Sequence, residues 1–520
     1  MASRTAVAGV PWWAAVVVAG VAGAAWIGGG VYARRQIAAQ LPPLAAAGLS
    51  PAVRQALGEA DARARAAPSA ATVGALGQAY HAHQRPIEAM ALYHLAAGLA
   101  ADDVQWTYLR GVLHEERGEA ADAEAAFRAV VAAAPGLGHA WFRLGELAFK
   151  AGRLDEAATA YARARDAAPE PPFVPPGGGP RQPAPLSLYA RLGLARVAID
   201  RGDPAAAARE VRAILEAYPA FGPARGLLGE AERRSGAGAA ASTRLAARPY
   251  VPPADPRLDA VVATSQHPDV LLKHAGLAAR AGDTAWREFL LQRAHTASPD
   301  DLNVLMEMSA LRQAQGRLAE AFALLQRHEA LAPGDHHALV QQGKVLADLG
   351  RLAEAEAVLR RAVAVRDTTA QFNLGAVLDQ QGRWDEARAR YEQALAIDPF
   401  NTSAMNNLAS GLDRSGATGA ALALFERALA IAPDQADYYT NYGNALIQAG
   451  RLEDAVNALA VAVTLDPRAA NAHNNLGIAF AQQRRLDLAR QAFEKALQID
   501  PSHANAKRNL ALTQQILSPP

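Results

Sequence analysis

Cysteine is missing from all 520 residues of the sequence. Its absence excludes disulfides, thiolate zinc sites, haem attachment of the c type and cysteine nucleophiles from this chain. A surplus of either charge is also missing, since 52 Lys and Arg residues face 51 Asp and Glu residues. Nucleic-acid binding usually needs a clustered basic surface, so this balance argues against a nucleic-acid partner.

Strand-like alternation of β-branched residues is scarce as well. The hydrophobic fraction of 51% comes largely from alanine, the best helix former. The composition therefore predicts an all-α protein, and 520 residues are too many for one compact core. Several domains or a repeat array are expected.

Signatures of catalysis are lacking too. The sequence contains no phosphate-binding glycine loop and no nucleophile elbow. Two short histidine clusters, His81 with His83 and His336 with His337, have no third ligand at a metal-binding spacing, so we predict helix and turn histidines at the surface. No catalytic residue, metal, cofactor or small-molecule substrate is predicted, and the chain is not expected to be an enzyme.

One long apolar stretch lies near the N-terminus, with no charge between Arg4 and Arg34. Trp12 and Tyr32 stand roughly 30 Å apart along a helix, which matches the thickness of a bilayer core and its aromatic belts. We predict a transmembrane anchor at residues 11–33 after a tail at 1–10. A cleaved signal peptide is the alternative.

Basic residues flank this segment on both sides, so the positive-inside rule gives no clear orientation. We favour a single-pass protein of the inner membrane of a bacterial envelope with the rest of the chain in the periplasm. The cytoplasmic orientation stays open.

A repeat of 34 residues dominates the remaining sequence. Leu374-Gly375 is followed by Ala387, Tyr391 and Pro399, and the same offsets return in the next three repeats and at Gly111 and Gly145. Small residues at positions eight and twenty let two helices approach, and proline at position thirty-two ends the second helix. This pattern is similar to that of the tetratricopeptide-repeat (TPR) family, which implies a solenoid of helical hairpins that binds proteins.

The repeat divides the chain into two arrays. We expect a linker helix within 34–69, a first array at 70–236, a proline-rich join at 237–267, a second array of seven repeats at 268–503 and a capping helix within 504–520. A Pro- and Gly-rich insert at 170–187 interrupts the first array and is predicted to be a mobile surface loop.

Asparagine recurs at the sixth position of the first helix in five successive repeats. That position points away from the packing stripe at positions four, seven, eight and eleven. Amides offer both donors and acceptors, which suits the backbone of an extended peptide. The candidate peptide-binding residues are therefore Asn373, Asn407, Asn441, Asn475 and Asn509.

These five residues resemble the asparagine ladder in the TPR arm of O-linked N-acetylglucosamine transferases, without the catalytic domain. The resemblance implies that they line the inner wall of the solenoid and hold client peptides. Simple inheritance by repeat duplication is the alternative, and Ala75, Leu109 and Arg143 break the pattern in the first array. We predict a membrane-anchored scaffold that binds extended peptide segments of client proteins. The alternatives are a targeting or regulatory arm of an enzyme complex and an assembly factor for secretion, pili or cytochrome maturation.

Overall fold

A computed structural model describes residues 33–44, 49–175, 181, 183–218, 221–235, 252–363 and 367–517. Within these ranges every regular element is a helix, as the sequence predicts. The predicted anchor at 11–33 lies, except for its last residue, outside the described residues. None of the described helices combines the length and apolar character needed to cross a bilayer.

The described residues form two compact units, the first ending at Val304 and the second beginning at Leu305. After a short helix at 33–39, unit 1 contains α1 (Pro51–Ala66), α2 (Ala70–Ala82), α3 (Pro86–Leu99), α4 (Val104–Glu116), α5 (Ala120–Ala133), α6 (Gly138–Lys150), α7 (Leu154–Asp166), α8 (Leu186–Asp200), α9 (Pro204–Ala217), α10 (Gly222–Arg234), α11 (Pro256–Val262), α12 (Pro268–Ala281) and α13 (Thr284–Ala297).

Unit 2 contains the remaining helices, the first of which begins just before the boundary. They are α14 (Leu302–Ala314), α15 (Leu318–Leu331), α16 (His336–Asp348), α17 (Leu352–Ala362), α18 (Thr368–Gln380), α19 (Trp384–Ile397), α20 (Thr402–Arg414), α21 (Thr418–Ile431), α22 (Ala436–Gln448), α23 (Leu452–Leu465), α24 (Ala470–Gln482), α25 (Leu486–Ile499) and α26 (Ala504–Leu517). From α12 to α25 the helices follow one another along the chain as seven consecutive pairs, and α26 follows them.

The boundary between the units falls later in the chain than the proline-rich join at 237–267. Residues 252–267 and the hairpin α12–α13 belong to unit 1. Hydrogen bonds connect this join to α2, α4 and α6 within unit 1.

Tight turns join the two helices of each hairpin. Gly450, between α22 and α23, has φ 74°, a left-handed conformation that glycine adopts without steric penalty. The following amide of Arg451 donates to the Leu446 carbonyl over 2.9 Å, so a carbonyl that the helix end leaves unpaired is satisfied. Gly152 and Gly350 have the same conformation at equivalent turns.

In several hairpins a large side chain of the second helix packs over a glycine of the first helix. In α18, a Cβ on Gly375 would lie 2.8 Å from Cε1 of Tyr391, whose side chain is fully buried. Gly477 and Phe493 repeat this arrangement in α24 and α25 at 2.5 Å. The periodic glycine therefore allows the close approach of the two helices, as the sequence predicts.

The final helix α26 lies within the stretch 504–520, for which a capping helix is predicted. It leaves Leu512 and Ile516 more than half exposed, while Ala506 and Thr513 are buried. The surface of this helix is therefore apolar as well as polar.

Candidate peptide-binding surface

The five candidate asparagines lie on the first helices of successive hairpins, α18, α20, α22, α24 and α26. Each of the five is half-buried. Each first helix also packs against the first helix of the next hairpin. The asparagines therefore follow one line along unit 2, where neighbouring first helices meet.

Side-chain hydrogen bonds join four of these residues into two groups that we call the amide triads. In the first triad, Asn441 Nδ2 donates to Asn406 Oδ1 over 3.1 Å, and Asn406 Nδ2 donates to Asn407 Oδ1 over 3.1 Å. In the second, Asn509 Nδ2 donates to Asn474 Oδ1 over 3.1 Å, and Asn474 Nδ2 donates to Asn475 Oδ1 over 3.2 Å. Asn373 belongs to neither triad.

The middle residue of each triad is buried. Asn406 is 8% exposed and Asn474 is 4% exposed. The sequence places both beside the ladder on the same wall, but they lie between neighbouring first helices and connect them. Each amide has two donor hydrogens and an oxygen with two lone pairs, so the triads use only part of the hydrogen-bonding capacity of the ladder.

A second line of side chains runs beside the ladder at position two of the same helices. All five of these residues are exposed, and one of them is charged: Thr369, Ser403, Asp437, Asn471 and Asn505. We call these five residues and the five ladder asparagines the polar column. Its surface is polar and nearly neutral.

In unit 1 the equivalent positions of α6 are occupied by His139 at position two and Arg143 at position six. Both side chains bind residues of the same chain, His139 through a backbone carbonyl and Arg143 through a carboxylate. His139 Nε2 lies 2.8 Å from the Ala254 carbonyl oxygen, and Arg143 Nη2 donates to Asp255 Oδ2 over 2.7 Å. Asp255 is extended, with φ −117° and ψ 105°. Tyr108, on α4, donates its hydroxyl to the same Oδ2 over 2.5 Å.

The negative charge of buried Asp255 is compensated by Arg143, His139 and the hydroxyl of Tyr108. Burial alone would raise the pKa of Asp255, but Arg143, His139 and the hydroxyl of Tyr108 lower it to about 2. Burial also opposes protonation of His139, yet Glu170 and Asp255 raise the pKa of His139 above its ordinary value. The second ring nitrogen of His139 lies 3.0 Å from Glu170 Oε1, so a protonated ring donates on both sides.

A second buried ion group holds the Pro- and Gly-rich insert. Arg181 donates to Asp259 over 2.9 Å and to Asp283 over 2.8 Å, and its guanidinium lies 4.5 Å from the Trp286 ring centroid. Its side chain is 2% exposed. The prediction of a mobile surface loop at 170–187 is therefore wrong for Arg181 and Glu170. Two carboxylates share this one guanidinium, and burial raises the pKa of Asp259 to about 7 although Arg181 opposes the shift.

The end of the same stretch binds the first hairpin. Ser265 Oγ donates to the Ala82 carbonyl over 2.8 Å, and the Gln266 amide donates to His83 Nε2 over 3.2 Å. His83 is 4% exposed and His81 is 9% exposed, with Glu116 2.9 Å from His81 Nε2. The prediction of surface histidines is wrong for these two residues, because the join bonds to His83 while Tyr93 and Glu116 bond to His81. We call residues 252–267 the internal segment.

The second histidine cluster is more exposed. His336 is half-buried and its Nε2 lies 2.6 Å from Asp367 Oδ2, while His337 is exposed. In the described part of the chain, the ligand atoms of His114, Glu119 and Asp122 lie within 4.8 Å of one another, as a metal site requires. Glu119 is already bonded there to His114 and to Arg117, each over 2.7 Å. This arrangement is that of an ion-paired helix turn.

Sequence reasoning missed the role of Arg143, which was interpreted as a break in the ladder. Its partner Asp255 lies 112 residues away. The available signal was the presence of Asp255 and Asp259, which are the two acidic residues of the proline-rich join at 237–267. The spacing within one repeat contains no information about such a partner.

Family profiles described as tetratricopeptide repeat match residues 108–172, 192–249, 336–369, 369–434 and 440–504, which together make up more than half of the chain. No curated protein sequence matches it.

Several solved structures are similar to this chain. The APC/C hetero-tetramer Cut9–Hcn1 has a TM-score of 0.44 and 13% identity, covering 86% of this chain and 97% of that one. A tetratricopeptide-repeat protein from Parabacteroides merdae has a TM-score of 0.39 and 17% identity, covering 48% and 98%. YrrB, described as a TPR protein with an unusual peptide-binding site, has a TM-score of 0.25 and 20% identity, covering 42% and 96%. On the repeat profiles and the helical hairpins, the chain belongs to the tetratricopeptide-repeat family.

Proposed function

We propose that this chain is a scaffold whose polar column in unit 2 binds extended segments of client proteins. The observation that supports this proposal lies in unit 1. There the side chains at positions two and six of α6 contact an extended stretch of polypeptide, including a main-chain carbonyl. The polar column offers side chains at the same two positions on five successive helices.

The chemistry of the column favours the main chain of the client over its side chains. Amides and hydroxyls pair with peptide N–H and C=O groups regardless of sequence. A net hydrogen bond is worth about 1 kcal/mol, so several such bonds give useful affinity without strong sequence preference. A surface with one exposed carboxylate and no basic residue at these positions has no attraction for nucleic acid.

Site-specific photo-crosslinking tests this proposal. A photoreactive residue at Thr369 or Asp437 should capture client segments, because both positions are exposed at position two. The matched control is Glu453, which is exposed on the second helix α23. Equal capture from the control position would refute the assignment of the column.

Substitutions must separate binding from stability, because the amide triads also join neighbouring helices. Asn373 lies outside the triads, so Asn373→Ala should lower client capture while unfolding stays close to wild type. Replacing Asn406, which is buried, should instead lower stability. If a double variant with Asn373→Ala and Asp437→Ala captured clients as well as the wild type does, the asparagines would be explained by repeat duplication alone.

We further propose that residues 11–33 anchor the scaffold in the inner membrane with its repeats in the periplasm. The uncharged stretch with tryptophan and tyrosine near its ends supports this proposal. A reporter fused after Pro520 that is active only in the periplasm tests the orientation. Activity of a cytoplasmic reporter at the same place would reverse it.

The resemblance of the ladder to that of O-linked N-acetylglucosamine transferases supports the binding role only. The alternatives, an arm that targets an enzyme complex or an assembly factor, use the same surface for a different client. They predict that a purified partner brings an activity that the isolated chain lacks.

A further inference from the structure

The internal segment crosses the first helices of three consecutive hairpins in unit 1. Asp255 is bonded to α4 and α6, and Ser265 is bonded to the last residue of α2. Between them, the short helix α11 packs against α2 and α4. The segment therefore follows the route across successive first helices that we propose for a client in unit 2.

Six side chains of the segment are buried, among them Asp259, which binds Arg181, and Ala263. The other four act as anchors on the first helices of unit 1. Asp255 is 6% exposed, Val261 is 1% exposed, Val262 is 2% exposed and Ser265 is fully buried. A carboxylate at one end, two aliphatic side chains in the middle and a hydroxyl at the other end make a defined recognition pattern. The prolines at 252 and 253 precede the carboxylate, and proline favours an extended backbone before binding.

The groups of unit 1 that hold these anchors are specific. Arg143 and Tyr108 both donate to one carboxylate oxygen, and the ring of His139 contacts the carbonyl directly before it. Charge-assisted hydrogen bonds of this kind discriminate strongly between an aspartate and an uncharged residue. Unit 1 therefore presents a site for a segment whose acidic residue begins a short helix, in contrast to the nearly neutral polar column of unit 2.

We infer that the internal segment is a built-in ligand of unit 1, and that a separate polypeptide with the same anchors binds there when the segment is displaced. Its partner is a segment with an aspartate after prolines, which continues into a short helix that carries two adjacent aliphatic residues. A tethered ligand has an effective concentration in the millimolar range, so a free competitor at micromolar concentration does not displace it. Unit 1 is thus closed to clients until the segment leaves. This inference does not depend on the polar column.

A labelled synthetic peptide of residues 252–267, titrated into full-length protein, tests the inference. The variant Asp255→Ala with Val261→Ser weakens the internal segment and leaves its site intact. It should bind the peptide at least tenfold more tightly than the wild-type chain does. Adding Arg143→Ala should cancel this gain, and a control peptide with asparagine in place of Asp255 should not bind.

Two outcomes overturn the inference. A variant that stays as helical as the wild type but gains no affinity shows that the site takes no external peptide. A variant that loses α2, α4 and α6, the helices that form the site, shows that the segment is an inseparable part of the unit. Hydrogen exchange on the wild-type chain gives an independent check, because amides of α11 should exchange at least tenfold faster than those of α4. Equal exchange in the two helices contradicts a displaceable ligand.

Discussion

Replacing Arg143 by methionine is the most informative single perturbation of unit 1. The guanidinium donates to Asp255 over 2.7 Å, to Glu115 over 2.7 Å and to the Tyr108 hydroxyl over 2.9 Å. Its side chain is 18% exposed, and that of Asp255 is 7% exposed. Methionine keeps the length of the side chain and removes the charge, so the substitution isolates the electrostatic contribution.

The expected cost follows from the charge that is left behind. Removing one partner of a buried ion pair typically costs 3–5 kcal/mol, because the remaining ion has no compensation. Asp255 would keep the Tyr108 hydroxyl and the backbone amides of Arg257 and Leu258 as donors. We therefore expect the lower end of the range, about 3 kcal/mol.

Native-state hydrogen exchange measures this cost locally, because a repeat array does not unfold in one step. Amides of α6 should show an opening free energy lower by about 3 kcal/mol in Arg143→Met. The matched control is Arg414→Met, which removes an exposed Arg–Asp pair in unit 2 and should cost below about 1 kcal/mol at α20. The double variant with Asp255→Asn should recover part of the loss. Equal losses of opening free energy in Arg143→Met and Arg414→Met would show that burial of the Arg143–Asp255 pair does not raise the cost of breaking it.

Three further perturbations have defined outcomes. Burial raises the pKa of Asp259 to about 7 in the folded chain, while the pKa of an aspartate in the unfolded chain lies near 4. Between these two pH values the folded chain holds a proton that the unfolded chain has released. The free energy of unfolding therefore falls as the pH rises from about 4 to 7. Asp259→Asn should gain up to about 4 kcal/mol relative to wild type across that window in urea unfolding. Gly375→Val places atoms inside the contact with Tyr391 and should cost about 3 kcal/mol or more in exchange at α18. Asn406→Leu removes the middle of a triad and should lower the opening free energy of α22 by about 1–2 kcal/mol, without loss of helicity by circular dichroism.

The helical hairpins could be predicted from the sequence because their determinants are local and periodic. Gly375 and Tyr391 are 16 residues apart and contact each other within one hairpin. From α15 to α26 each hairpin packs on the next, so one repeat contains nearly all the information needed for this array. The first helices α2, α4 and α6 begin at Ala70, Val104 and Gly138, which are 34 residues apart.

The polar contacts could not be predicted, because they depend on pairs that no period relates. Arg181 meets Asp283 across 102 residues, and Arg143 meets Asp255 across 112. The amide triads were missed for a different reason. Asn406 and Asn441 are 35 residues apart, one more than the repeat length, so the bond joins different positions of neighbouring repeats. A comparison of equivalent positions alone does not detect it.

The central claim is that side chains at positions two and six of the first helices hold the main chain of an extended peptide. Calorimetric titration with the client segment captured at Asp437 tests it directly, using one peptide with N-methylated backbone amides and one with substituted side chains. We expect that N-methylation weakens binding of the peptide to the polar column at least tenfold, whereas substitution of the peptide's side chains changes this binding far less. Binding that survives N-methylation and disappears with the side-chain substitutions would contradict the claim.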